Sequence, residues 1–183
     1  MASNRKGIQV IICGRGGQGV LFLTRILDEA ALAEGKNVIS SETHGMAMRG
    51  GSVVSYIRIG PFASPLIRSG QGDIILALSD SEVDRNLHLL KKVGGQVYVN
   101  SAASRAGAID ATGIARELGS LVVSNLVLLG FASAHREFPF SFTTVKKVLK
   151  RISSPKVLEI NMRALAAGYE RAKPQPEILH GKS

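Results

Sequence analysis

Hydrophobic and polar positions along the chain follow two periods, one typical of strands and one typical of helices. The run Ile8–Cys13 is apolar and rich in β-branched residues, and it ends at Gly14 as buried strands often do. From Val20 the apolar residues recur at helical spacing until Gly35 supplies a stop. Asn37–Glu42 is strand-like again. These segments predict a βαβ unit with a glycine loop between the first strand and the helix.

The remainder of the chain continues to alternate between strand and helix patterns. Further strands are predicted at Ser52–Ile59, Asp73–Leu78 and Gln96–Asn100. Further helices are predicted at Ile114–Leu118, Leu126–Ala134 and Val145–Ile152, and from Ser154–Pro155 onward, where proline stands in the first turn. The pattern predicts an α/β fold, a three-layer domain with a mostly parallel sheet, Rossmann-like in its first βαβ unit. No repeat or linker divides it, so we expect a single domain over residues 1–183.

Two helix starts carry recognisable caps. Ser79–Glu82 fits an S-x-x-E capping box, and Val83, Leu87 and Leu90 follow at helical spacing. Asn125 directly precedes an apolar helical run and is predicted to cap it.

Composition restricts the kinds of partner and site. Hydrophobic residues make up 45% of the 183 residues, which is enough for one core, and no apolar run approaches the ~18 residues of a membrane span. The first residues lack an apolar h-region and a cleavage site, so we expect no signal peptide. Cys13 is the single cysteine, so it is expected to be a small buried hydrophobe in a reducing, cytoplasmic protein. The net charge of +9 suits an anionic partner of a kind that it does not identify.

The glycine loop after the first strand is the first candidate ligand site. It contains G-x-G-x-x-G and opens a helix. Its backbone could approach a phosphate at the helix N-terminus, or its glycines could serve only a tight turn and close packing. A dinucleotide fold also needs an acidic residue after the second strand, where Glu42 stands, so a stand-alone NAD(P)-dependent dehydrogenase remains an alternative. The candidate residues of this loop are Gly14, Arg15, Gly16, Gly17, Gln18 and Gly19.

The second candidate site is the loop Thr43–Gly51, which follows the second strand at the sheet edge where open α/β folds bind ligands. Arg49 is suited to a phosphate or carboxylate. His44 could form a hydrogen bond or accept a proton, or it could simply bond to backbone. Gly50 and Gly51 complete the candidate set.

A cluster of basic residues on the Val145–Ile152 helix allows a third interpretation. These residues lie off the apolar stripe and are expected to form a solvated face. Together with the net charge of +9 they also leave open a basic, non-enzymatic binding module. The low aromatic content of 5% argues against nucleic-acid binding through stacking, and we expect no nucleic-acid partner. The cluster consists of Lys146, Lys147, Lys150 and Arg151.

Several signatures of catalytic sites are missing from the sequence. There is no cysteine cluster for an iron–sulfur centre, no G-D-G with a downstream asparagine for a thiamin diphosphate–metal site, and no nucleophile paired with a base. We therefore predict no catalytic residue and no metal ligand in this chain.

Two motifs together resemble a known family. They are G-R-G-G-Q-G at residues 14–19 and H-G-M-x-x-R-G-G-S-V at residues 44–53. The combination is similar to the gamma subunit of the 2-oxoacid:ferredoxin oxidoreductases, and most of all to the small chain of the indolepyruvate type. The resemblance extends over nearly the whole chain, including Leu129–Gly130 and the segment from Asn161 to Gly168. Branches acting on pyruvate or 2-oxoglutarate more often have Tyr-Gly at the second motif and an acidic residue or glutamine where Met48 stands, so an aryl-pyruvate is favoured.

The resemblance implies a function that the spacing alone does not. The family decarboxylates a 2-oxoacid oxidatively to an acyl-CoA and passes the electrons to ferredoxin. Thiamin diphosphate (TPP), Mg²⁺ and the Fe–S clusters are expected on larger partner subunits, with coenzyme A at or near this subunit. The isolated chain is expected to be inactive, to bind no membrane, and to form homodimers if a face that its partners cover is left exposed.

Overall fold

The computed structural model describes residues 7–44 and 50–172, without the side chain of His44. The strands are β1 (Ile8–Arg15), β2 (Val38–His44), β3 (Ser52–Ile59), β4 (Ile74–Ala77), β5 (Gln96–Asn100) and β6 (Ala108–Ile109). The helices are α1 (Val20–Ala33), α2 (Asp80–Asn86), α3 (Ala111–Glu117), α4 (Ser124–Ser133), α5 (Phe142–Ile152) and α6 (Pro155–Arg171). Within these residues no helix is both long and apolar enough to cross a membrane.

The strands form one sheet in the order β2-β3-β1-β4-β5-β6. β3 runs antiparallel to both of its neighbours, and the pairs from β1 through β6 are parallel, which confirms the α/β fold with a mostly parallel sheet. β1 and β2 are therefore parallel but not adjacent, which differs from the simple βαβ unit that the sequence predicted. The connection from β2 to β3 is too short for a parallel crossover, so β3 must run back, and it lies between β1 and β2.

Helices cover the two faces of the sheet unequally. On one face, Val10 and Ile12 of β1 belong to the larger core, which contains the buried apolar side chains of α1 and α4. On the other face, Ile11 and Cys13 pack with Val83 of α2 in a smaller core. β3 shows the predicted alternation, with every second side chain buried from Val53 onward. These two cores make the domain three-layered, as the sequence predicted.

Helices α4 and α6 approach each other at backbone distance. A Cβ atom added at Gly168 would lie 1.8 Å from the carbonyl oxygen of Val127, and one at Gly130 would lie 2.0 Å from the carbonyl oxygen of Leu165. Neither position has room for any side chain, because the obstructing atoms belong to the main chain. Close helix packing therefore explains why Gly130 and Gly168 are glycines in the two segments that resemble the family.

Ser79 takes the predicted N-cap position without forming the capping box, and the predicted cap at Asn125 is wrong. Ser79 is the N-cap of α2, but its side chain caps no backbone group, and Glu82 bonds elsewhere. Asn125 is the second residue of α4 and is buried, because the preceding turn at Leu121–Val123 already starts the helix. Leu87, expected on the buried face of α2, is 48% exposed, since α2 ends at Asn86 and a tighter helical turn follows.

The predicted start of α6 is confirmed. Ser154 is its N-cap and Pro155 occupies the first turn. Of the four residues expected on its buried face only Leu165 is fully buried, while Leu158, Met162 and Tyr169 are half-buried. Asn161 lies within the buried stripe instead, and its Nδ2 donates to Ser153 Oγ at 3.1 Å, which ties α6 to the turn before it.

Candidate functional site

The glycine loop forms a tight turn between β1 and α1. Gly19 is the N-cap of α1 in the left-handed conformation, with φ of 86°, and Gly17 has φ of 92°. The Gln18 side chain holds the turn, because its Oε1 accepts from the Arg15 backbone N–H at 2.7 Å. The backbone N–H of Gln18 in turn donates to the Arg15 carbonyl at 3.0 Å. Local sequence thus closes the turn without a ligand.

The structure brings the two candidate loops together. The Gly16 N–H donates to the Gly51 carbonyl at 2.9 Å, and Arg15 pairs with Ser52 in the β1–β3 ladder. Gly50 lies against Gly16, because a Cβ added at Gly16 would be 3.5 Å from the backbone nitrogen of Gly50. The glycine loop and the end of the Thr43–Gly51 loop (called the R-G-G loop after residues 49–51) therefore meet through Gly16, Gly50 and Gly51 at the carboxyl edge of β1.

Two members of the second candidate set are described only in part or not at all. His44 ends β2 and pairs with Val53, which also pairs with Gly14, so its backbone lies level with the start of the glycine loop. Arg49 lies outside the described residues.

The edge beside the glycine loop is the topological switch point of the sheet. α1 packs on one face and α2 on the other, so the chain leaves the adjacent parallel strands β1 and β4 in opposite directions. Open α/β sheets bind ligands in the crevice that this arrangement creates. A cleft of about 480 Å³ lies here, lined by residues that include Gln18, Leu78, Ser79, Asn100, Thr112 and Arg116.

Charge at this edge is asymmetric. α1 has no side-chain cap at its N-terminus and no acidic residue in its first turn. At α3, by contrast, the Asp110 carboxylate caps the helix by accepting from the Gly113 N–H at 2.7 Å. The Asp80 carboxylate at the cleft is paired with Arg105. An anion is therefore favoured at the start of α1, where the helix dipole is uncompensated.

Arg15 is the exposed cation closest in sequence to that helix end. Its Nη2 donates to Ser81 Oγ at 3.2 Å, which directs the guanidinium toward the start of α2. Arg15 has no carboxylate partner among the described residues, so its other N–H groups remain available to an anion.

The glycines of the motif serve different purposes. Gly14 is buried, and an added Cβ would lie 3.0 Å from side-chain atoms of both Leu78 and Val20. Gly19 packs against Asn125, whose Nδ2 would lie 2.2 Å from an added Cβ. Gly17 is exposed and has no atom within 4 Å of such a Cβ. The packing explanation thus applies to Gly14 and Gly19, whereas Gly17 leaves space open on the solvent side.

Sequence reasoning assigned Glu82 to a cap and so missed its place beside the site. The residue is 1% exposed, and its Oε2 accepts from Ser52 Oγ at 2.5 Å. Its backbone carbonyl accepts from Cys13 Sγ at 3.6 Å. Burial, together with the charge of Glu82, raises the pKa of Cys13 to about 12, as expected for an inert buried thiol. No local pattern in the sequence indicates the Ser52–Glu82 contact, because its two residues lie 30 positions apart.

Asn100 is a second residue near the site that the sequence did not single out. Its Nδ2 donates to Thr112 Oγ1 at 2.8 Å, and its Oδ1 accepts from the Thr112 N–H at 3.1 Å. These bonds fix the end of β5 to the start of α3 on the wall of the cleft.

No group of three or more histidine, cysteine, aspartate or glutamate side chains suited to a metal ion occurs in residues 7–44 and 50–172.

Glu42 does not occupy the place that a ribose-binding carboxylate needs. β3 separates β2 from β1, and Glu42 pairs with Ser55, which pairs with Ile12 in the middle of β1. The carboxylate therefore lies before the strand end and one strand too far away. This geometry disfavours the stand-alone dehydrogenase.

The basic cluster of α5 is a solvated helix face, as predicted. Its four cations are exposed. Arg151 pairs with Glu29 of α1, and Lys146 lies over the Phe142 ring at 6.0 Å. Intramolecular contacts thus account for part of the cluster.

Comparison with known proteins identifies the family. The model of the pyruvate ferredoxin/flavodoxin oxidoreductase family matches residues 9–171. Indolepyruvate oxidoreductase subunit IorB of Archaeoglobus fulgidus is 30% identical over 191 residues, covering 90% of this chain and 95% of the relative.

Two solved structures share the fold. The gamma subunit of a keto/oxoacid ferredoxin oxidoreductase from Geobacter sulfurreducens is 28% identical with a TM-score of 0.73, covering 90% of this chain and 98% of that one. Pyruvate oxidoreductase subunit PORC from Thermotoga maritima is 25% identical with a TM-score of 0.75, covering 91% and 97%. The chain therefore belongs to the pyruvate ferredoxin/flavodoxin oxidoreductase family and is a gamma-type small subunit of a 2-oxoacid:ferredoxin oxidoreductase.

Proposed function

We propose that this chain, a single gamma-type domain, assembles with larger subunits into a cytoplasmic, CoA-dependent oxidoreductase of the indolepyruvate type. In this assembly the partner subunits hold TPP, Mg²⁺ and the Fe–S clusters and transfer electrons to ferredoxin. The small subunit receives coenzyme A at the edge formed by its glycine loop and its R-G-G loop, and it is inactive alone. Its 30% identity to an indolepyruvate oxidoreductase subunit over 90% of the chain supports the substrate class.

The observation that carries the CoA assignment is the uncompensated positive end of α1 beside an exposed arginine. Coenzyme A is a polyanion with three phosphate groups on its nucleotide half. The free N–H groups at the start of α1 and the Arg15 guanidinium are suited to a phosphate. Gly17 lets the ligand approach the main chain closely because no side chain projects there.

The cleft beside the loop is suited to a different part of the same ligand. Most of its lining residues are neutral, with the hydroxyls of Ser79 and Thr112 at the wall beside Arg116, while its two carboxylates are engaged with Arg105 and with the α3 N-terminus. Neutral donors and acceptors match the amides of the pantetheine arm better than they match phosphates. We therefore expect Arg15 and Arg49 to bind the phosphates, with the pantetheine arm toward the cleft.

The test is the Michaelis constant for CoA of the assembled enzyme carrying Arg15→Ala. Loss of a hydrogen bond to a charged group weakens binding by about 1.5–3 kcal/mol, so we expect KM for CoA to rise roughly 10- to 100-fold. KM for the oxoacid should stay unchanged. Arg25→Ala removes an exposed cation elsewhere on α1 and serves as the matched control. An unchanged KM for CoA in both Arg15→Ala and Arg49→Ala would refute the placement of the phosphates.

A further inference from the structure

The carboxylate of Glu82 connects the two candidate loops through the start of α2. Its Oε2 accepts a 2.5 Å hydrogen bond from Ser52 Oγ, at the residue where the R-G-G loop enters β3. The preceding residue, Ser81, accepts from Arg15 Nη2 of the glycine loop at 3.2 Å. Two consecutive residues of α2 thus contact both loops, which are themselves joined by the Gly16–Gly51 hydrogen bond.

Burial makes the Ser52–Glu82 contact an unusual one. Glu82 is 1% exposed, and burying a carboxylate is unfavourable unless it is well hydrogen-bonded and paired. Its partners within the described residues are the Ser52 hydroxyl and Arg85, whose Nη1 lies 3.8 Å from Oε1. An exposed glutamate in a capping box would satisfy α2 at a lower desolvation cost. The long-range contact has replaced the local one.

Such a departure from the local rule is expected where function requires it. We propose that Glu82 is a positioning residue, which holds residues 50–52, at the entry to β3, against the glycine loop through its bond to Ser52. This inference rests on the proposed function, because Arg49, a candidate ligand of a CoA phosphate, stands three residues before Ser52 in the sequence. Glu82 acts through Ser52 and is not placed in contact with CoA.

The geometry specifies which change should release the loop. Ser52→Ala removes the donor and leaves a buried carboxylate with one partner fewer, whereas Ser52→Thr keeps a hydroxyl and suits a strand. Glu82→Gln keeps the shape and an acceptor for Ser52 but removes the charge. Asp84→Asn changes an exposed carboxylate on the same helix and serves as the control.

The first measurement is hydrogen–deuterium exchange of the assembled enzyme, which reports loop positioning without reference to CoA. In Ser52→Ala we expect the Gly16 amide, which donates to Gly51, to exchange roughly tenfold faster than in the wild type. Glu82→Gln should show a smaller increase, and Ser52→Thr and Asp84→Asn should match the wild type. Unchanged exchange at Gly16 in Ser52→Ala would overturn the inference.

The second measurement separates the inference from the function on which it rests. We expect KM for CoA to rise roughly tenfold in Ser52→Ala with kcat within about twofold, and Ser52→Thr to restore the wild-type value. Faster exchange at Gly16 with an unchanged KM for CoA would keep Glu82 as the residue that fixes the loop and would refute the CoA site instead. A loss of kcat without a change in KM would overturn the positioning of a CoA-binding loop by Glu82.

Discussion

Replacing Gly19 by alanine tests whether the last glycine of G-x-G-x-x-G serves the fold. Gly19 has φ of 86°, and a left-handed residue with a Cβ costs about 1–2 kcal/mol. The new Cβ would also lie 2.2 Å from Asn125 Nδ2. Asn125 is buried and its Oδ1 accepts from the Leu126 N–H at 2.8 Å, so the amide cannot move aside without losing that bond. Overpacking of this kind adds about 1–3 kcal/mol.

The expected loss for Gly19→Ala is therefore about 2–5 kcal/mol in the free energy of unfolding. For a domain of this size about 1 kcal/mol corresponds to 2–4 °C in Tm, so the melting temperature should fall by roughly 4–20 °C. Gly17→Ala is the matched control, because Gly17 has φ of 92° but no atom within 4 Å of an added Cβ. The free energy of unfolding of that variant should fall only by the cost of the left-handed backbone, about 1–2 kcal/mol.

A thermal melt of four variants measures the contribution of Asn125 directly. Gly19→Ala, Asn125→Ala, the double variant and the wild type form a double-mutant cycle. We expect a coupling of about 1–3 kcal/mol, because removal of the Asn125 amide relieves the clash with the new Cβ. Equal melting temperatures for Gly19→Ala and Gly17→Ala, or a coupling near zero, would refute the packing role of Gly19.

Two further predictions concern stability. Gly168→Ala should destabilise the chain by more than about 3 kcal/mol, measured by urea unfolding, because the new Cβ would lie 1.8 Å from the Val127 carbonyl oxygen; Ala166→Gly on the same helix is the control. Burial raises the pKa of Asp28 despite its hydrogen bond from Ser40, and the charges of Glu42 and Glu29 raise it further. The folded state therefore holds this proton more tightly than the unfolded state does. The protein loses stability as pH rises from the unfolded pKa of Asp28 to its raised folded pKa. Asp28→Asn should therefore raise Tm at neutral pH, with a gain that shrinks as pH falls through the raised pKa and disappears below the ordinary pKa of aspartate. A gain that does not vary with pH would contradict the assignment.

The sequence predicts the elements of the fold better than their arrangement. The apolar run of β1, the alternation of β3 and the stripe of α5 each bury one face against a core, so their periodicity survives folding. The position of β3 between β1 and β2 depends on strand pairing across the sheet, which no local pattern records. β6, a two-residue edge strand, is too short to produce a periodic signal.

The candidate site was predicted in its backbone but not in its supporting contacts. The glycine positions indicated the turn, and Gly50 and Gly51 were placed at the same edge. Glu82 was predicted to cap α2 because the S-x-x-E spacing is a local signal, whereas its bond to Ser52 spans 30 residues. Asn125 was likewise assigned to a cap, although the 3₁₀ turn before α4 places it inside the helix against Gly19.

Reconstitution of the complex tests whether this chain is an obligatory subunit of a CoA-dependent oxidoreductase. The chain is purified alone and together with the large subunit that co-purifies with it from the native host, and each preparation is assayed for CoA-dependent ferredoxin reduction on indolepyruvate, pyruvate and 2-oxoglutarate. We expect no turnover by either chain alone and CoA-dependent turnover by the complex, fastest on indolepyruvate. Full activity of the large subunit without this chain, or NAD(P)H binding by the isolated chain, would contradict this expectation.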